Sequence, residues 1–187
     1  KRKISFNWLH LSSMVENEEV FTNVESNLLA LLNYISELPK VQRKYNLSKD
    51  KFCFIENFNF DDNSQCVELP LKSAKHSYRA PLLDKNTVEA RENPKRIEEG
   101  EQIKTHVLLK FIENDAIVFL ETGLNLLTMS NIVEYLNSFI VLYNNSVEEK
   151  IIGKFTYDMA NSDAVLPLSM STLAVLIRRK WLPMAPK

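Results

Sequence analysis

"KTHVLLKFIENDAIVFLET", residues 104–122, is the stretch that decides how this chain folds. Two apolar runs flank Glu113, Asn114 and Asp115, a trio suited to a tight turn. The spacing predicts a strand over 104–112, a turn, and a returning strand over 116–122. The second run is almost wholly apolar, as expected of a strand in the middle of a sheet.

Working toward the N-terminus, "KFCFIENFNF" (51–60) reads as an aromatic strand, "DDNS" (61–64) as a turn, and "QCVELPL" (65–71) as a return strand. Pro70 has no N–H to give a ladder, which predicts an edge position or a strand end. In "KISFNWLHL" (3–11), Ile4, Phe6 and Trp8 alternate with Ser5, Asn7 and Leu9, the period of a further strand. A helix is expected over 22–37. Thr22 with Glu25 has the form of a capping box, Leu28, Leu29, Leu31, Leu32 and Ile35 recur at helical spacing, and Pro39 stops the run.

Toward the C-terminus, Ser130 opens a second helix with Ile132, Val133, Leu136, Phe139, Ile140 and Tyr143 on one face. "GKFTYDMA" (153–160) suits a short strand. "SMSTLAVLIRRKW" (169–181) suits a third helix, its basic end matched to the helix dipole. Hairpins with a few covering helices define an α+β class: a mainly antiparallel sheet built from hairpins, with two or three helices on it. The 187 residues are read as a single domain, 1–187, carrying a long polar loop at about 72–103. Since the first residue is Lys rather than Met, the chain is expected to be processed or trimmed, and its tail "RRKWLPMAPK" (178–187) is read either as a natural end or as a cut through a longer protein.

Composition limits the function. With 23 Lys and Arg against 24 Asp and Glu, no global field draws the chain to nucleic acid or membrane, so any such pull is local. No apolar run approaches the ~20 residues of a membrane span, and no signal peptide is visible, so a cytoplasmic, non-membrane protein is expected. Cys53 and Cys66 lack the partners of a disulfide framework or a zinc site and are expected to be packed thiols in a reducing compartment. Three glycines supply no phosphate-cradling loop, and no cofactor is expected.

Local chemistry gives three alternatives. His10, His76 and His106 lie on different elements without ligand spacing; His106, on a strand beside the loop, is the best acid–base candidate of the three. Glu98, Glu99, Glu101 and Lys104 lead into a strand as the acids and lysine of a metal-dependent nuclease do, since hard cations want several carboxylate oxygens. No nucleophile elbow, triad or Walker loop demands an enzyme. The basic residues carry more weight. Residues 72–110 hold nine Lys or Arg against six acids, an excess of +3 in a chain that totals −1. A basic loop mounted on a sheet can follow a phosphate backbone. Arg79, Arg91, Lys95, Arg96 and Lys104 are the expected contacts to DNA or RNA, and "RRKW" (178–181) extends the patch. An edge strand and the Phe52, Phe54, Phe58 and Phe60 aromatics offer a homodimer contact. The third alternative is a protein-binding inhibitor or adaptor that docks on a host or phage protein.

Residues 104–140, "KTHVLLKFIENDAIVFLETGLNLLTMSNIVEYLNSFI", together with the order of elements before them, resemble the N-terminal region of Rex-type phage exclusion proteins and of the Kiwa-type DNA-binding component. The resemblance implies an α+β domain of a longer antiphage-defence or prophage protein with DNA binding as its activity. It places no functional residue on this chain.

Overall fold

The computed structural model describes residues 3–160. Strand β1 (Lys3–Val15) turns back through Glu16 and Asn17, both left-handed at φ 51° and 68°, into β2 (Glu18–Thr22). Paired left-handed residues match the twist of the strands they join. Helix α1 (Val24–Glu37) is capped by Asn23, whose side-chain oxygen accepts from the Ser26 N–H at 2.9 Å. The capping box expected on Thr22 is not used. Thr22 is the last residue of β2, and its hydroxyl donates to the Leu11 carbonyl at 3.3 Å. The other end of α1 has no basic residue in its last turn. Arg43 supplies the cation: its guanidinium donates to the Ser36 and Leu38 carbonyls and to that of Glu56.

Next come β3 (Tyr45–Asn46), β4 (Lys51–Ile55), β5 (Asn59–Asp61) and β6 (Cys66–Lys75). Then follow β7 (Leu82–Leu83), β8 (Ala90–Arg91), β9 (Glu101–Ile112) and β10 (Asp115–Thr122). Helix α2 (Met129–Ser146) and β11 (Lys154–Met159) complete the described chain. The main sheet runs β11-β1-β10-β9-β6-β4-β3, antiparallel throughout, with β2 on β1 and β5 on β6. The chain is therefore α+β, and β10 lies in the sheet interior, buried on both faces from Ala116 to Glu121. The helix expected over 169–181, with its "RRKW" end, lies outside the described residues.

Two expectations for 51–71 need correction. The aromatic run is two strands, because the ladder breaks at residues 56–58. Phe52 and Phe54 alternate with the buried Cys53 and Ile55, whereas Phe58 and Phe60 pack against the main core, so the four rings share no face. Pro70 sits in an interior strand, opposite His106 of β9. On its other side it faces the break between β4 and β5, where its carbonyl accepts from the Glu56 N–H. The missing N–H therefore costs the sheet no ladder bond.

Both helices cover one face. Leu28, Leu31, Leu32 and Ile35 of α1 join Ile132, Leu136, Phe139 and Ile140 of α2 over Leu9, Leu11, Leu69, Val107, Leu109 and Val118 of the sheet. Tyr135 is fully buried there; its hydroxyl donates to the Arg43 carbonyl at 2.9 Å and accepts from the Ile55 N–H. On the opposite face Cys66, Leu108, Ile117 and Phe119 form a smaller cluster with Ile4, Phe6 and Trp8. Gly153 adopts φ +105°, and a Cβ there would fall 2.3 Å from the Ser12 carbonyl oxygen. Only glycine lets the α2–β11 connection lie against β1.

Candidate functional site

Three strands carry the core face past the end of the helices. On β4 the inward positions run Ile55, Cys53, Lys51; on β6 they run Leu71, Ser73, Lys75; on β9 they run Val107, Thr105, Ile103, Glu101. Alternation keeps these side chains on one face while their chemistry changes from apolar to polar. The register aligns them in rows: Cys53, Ser73 and Ile103, then Lys51, Lys75 and Glu101. Thr105 closes the core side, its hydroxyl accepting from the Leu127 N–H at 3.0 Å.

The polar loop forms the outer wall. It spans residues 76–100 and is a built structure: β7 and β8 pair through Leu82–Arg91 and Leu83–Ala90. The Asp84 carboxylate accepts from the N–H groups of Asn86 and Thr87 at 2.7 and 3.1 Å, which holds its pKa below the usual carboxylate value. The base is tied by the Ser77 N–H to the Ile97 carbonyl and by the Arg79 guanidinium to the Lys95 carbonyl. Gly100 lies so close to β6 that a Cβ would fall 2.5 Å from the Lys75 carbonyl oxygen.

Between wall and sheet lies a recess of about 360 Å³. Lys51, Ser73, Lys75, Glu101 and Ile103 form its floor, and Asn125 lines it from the connection after β10. Tyr78, Ala80, Leu82, Asn93 and Lys95 line it from the loop. Three lysines face one glutamate. Lys51 and Lys75 are direct cross-strand neighbours, an arrangement that repels. Asp50 meets Lys75 at 3.1 Å on the rim; the Ser48 hydroxyl and then Lys75 hold the Asp50 carboxyl below its usual pKa. Ser73 is 2% exposed, and its hydroxyl has no hydrogen-bond partner among the described residues. A buried, unpartnered hydroxyl in a native protein calls for an explanation.

The residues expected to contact phosphate are spread out. Lys95 lines the recess, and Arg79 is bound to its backbone. Arg91 is exposed on β8, and Arg96 is exposed at the loop base, its N–H donating to the Glu99 carboxylate. Lys104 alternates with Ile103 and Thr105 and therefore lies on the opposite face, across from Lys72, which pairs with Glu56 at 2.6 Å. The loop proper holds five cations and five acids. The +3 excess comes from its strand flanks, which is why Lys51, Ser73 and Lys75 escaped the loop-centred reading. Their signal was the polar continuation of a buried-face period.

Among the described residues no three of His, Cys, Asp or Glu come together to hold a metal ion. Glu99 is occupied with the Arg96 backbone, and Glu101 faces the recess. His10 Nδ1 lies 2.8 Å from Asp115 Oδ1, His76 bonds Ser77, and His106 stands opposite Pro70. Cys53 and Cys66 are free and buried, and burial pushes the Cys53 thiol up to about 12. No helix among the described residues is long and apolar enough to cross a membrane. Comparison with protein-family models, with curated proteins and with solved structures finds no match for this chain.

Proposed function

We propose that this chain is a non-enzymatic nucleic-acid-binding domain, of the phage-defence type that its 104–140 stretch resembles, and that it holds the phosphate backbone at the recess under the 76–100 loop. The observation that carries this reading is the row Lys51–Lys75, two like charges held side by side in a sheet, with Lys95 brought to them from the loop. Asp50 and Glu101 offset part of this charge, and a phosphate among the three ammonium groups is held by the remainder. Tyr78, 70% exposed at the same recess, offers a ring on which an unpaired base can stack, which favours a single strand over a duplex. Arg79, Arg91 and Arg96 on the loop extend the contact along the strand.

The test is fluorescence anisotropy of a labelled single strand and a labelled duplex at two salt concentrations, with and without Mg²⁺. Salt-sensitive binding that weakens in Lys51→Gln/Lys75→Gln and in Arg91→Ala/Arg96→Ala is expected. No binding at low salt overturns the reading. Mg²⁺-dependent cleavage lost in Glu99→Ala would move it to the nuclease alternative, and a salt-insensitive protein partner to an adaptor.

A further inference from the structure

We infer that the recess takes one terminal nucleotide unit, bound by its phosphate, rather than an internal stretch of backbone; this rests on the nucleic-acid reading above. Size is the first ground. About 360 Å³ is close to what one mononucleotide fills and is at the small end of ligand pockets. Shape is the second. The loop crosses the recess as a wall, anchored at both sides of its base by Ser77 to Ile97 and by Gly100 against β6. A wall standing over one side of the sheet floor confines a chain end more closely than it does a continuing chain.

The polar groups are graded as a nucleotide requires. The floor holds cations beside a hydroxyl: Lys51 and Lys75 in one row, Ser73 one row inward. Phosphate oxygens accept hydrogen bonds, and the Ser73 hydroxyl is a buried donor with no other partner among the described residues. Leu82 and Tyr78 give the lining an apolar and aromatic part suited to a flat ring, and Asn93 and Asn125 add side chains that can both donate and accept. Asn125 is held at φ 67°, a conformation that asparagine tolerates better than most residues. Glu101, beside Lys75 on the same floor, offsets one of the cations, so the charge balance suits a monophosphate better than the more highly charged diphosphate.

The experiment is calorimetric titration of the full chain with adenosine 5′-monophosphate, uridine 5′-monophosphate, adenosine and inorganic phosphate, run beside strand binding by anisotropy. Both monophosphates are expected to bind and to compete with a 5′-phosphorylated strand, adenosine to bind at least about tenfold more weakly, and phosphate alone more weakly than either monophosphate. Ser73→Ala is expected to weaken monophosphate binding by about tenfold without loss of thermal stability, because it removes a hydroxyl that has no hydrogen-bond partner among the described residues. Lys51→Gln/Lys75→Gln is expected to abolish it. If the strand binds but monophosphates neither bind nor compete, the terminal-unit inference fails and the nucleic-acid reading survives. If monophosphates bind and strands do not, the polymer reading fails and the recess stands as a nucleotide site. If monophosphate binding is unchanged in Ser73→Ala and in the double lysine variant, the recess is not the site, and the inference is overturned.

Discussion

Arg43 shows how much of this fold one side chain can hold. Its planar fork reaches the carbonyls of Ser36, Leu38 and Glu56, joining the end of α1 to the break after β4, while its own carbonyl takes the Tyr135 hydroxyl. A lysine presents a point charge and cannot span three carbonyls. Arg43→Ala is expected to lower unfolding stability by about 2 kcal/mol or more in urea, with Arg43→Lys recovering little of it. Acid sensitivity is set at the same scale. The Lys72 ammonium, 2.6 Å from Glu56, is the main reason that the Glu56 carboxyl titrates below its usual 4.5. A lowered folded-state pKa stabilises the fold fully above pH 4.5 and ceases to do so as pH falls through the lowered value. Glu56→Gln should therefore flatten the stability curve below pH 4.5 and leave its shape at neutral pH unchanged, as read by urea titrations at stepped pH. Cys53 makes the opposite case: with its thiol buried and pushed up to about 12, it is expected to resist an aromatic disulfide reagent at pH 8 until the chain is unfolded.

At the scale of elements, the fold depends on how segments start, stop and touch. Helix α2 starts at a complete capping box: the Thr128 hydroxyl accepts from the Asn131 N–H, and the Asn131 side chain accepts from the Thr128 N–H. Thr128→Ala should cost about 1 kcal/mol in thermal or urea denaturation, a loss that Thr128→Ser recovers. The tight approaches are less forgiving. Gly153→Ala places a methyl 2.3 Å from the Ser12 carbonyl at a left-handed φ. It is expected to destabilise by more than the about 1 kcal/mol of an ordinary glycine exchange, since β11 must move away from β1.

For the molecule as a whole, the register of the sheet sets how the loop joins the scaffold. Lys75 and Glu101 are register partners at the end of the β6–β9 ladder. A short hairpin turn can join them directly. Replacing residues 76–100 by such a turn is expected to keep the circular dichroism and cooperative unfolding of the parent while abolishing the nucleic-acid binding proposed above. Loss of folding instead would show that the loop is structural. In the intact chain, log K is predicted to fall with log salt by roughly 0.7 for each phosphate contact with a single strand, so a slope of about 0.7 marks the recess phosphate alone and a steeper one marks further contacts along the loop.

Residues 104–122 specified their hairpin locally. A buried strand must be apolar on both faces, and that pattern needs no neighbour to be read, so β10 and the helix face of Ile132 through Tyr143 were legible in the sequence. So were the α+β class and the strand at 153–160. Three things were decided only in the tertiary structure. One was Pro70's tolerance of an interior strand, which depends on a ladder break in two other strands. A second was the division of the four phenylalanines between two faces, which follows from the reset at 56–58. The third was the recess. Lys51, Ser73, Lys75 and Lys95 are scattered along the chain, and only cross-strand register and the folding-over of the loop bring them together. Periodicity determines which side of a strand a residue occupies; what stands beside it is set by pairing, which is a property of the whole sheet.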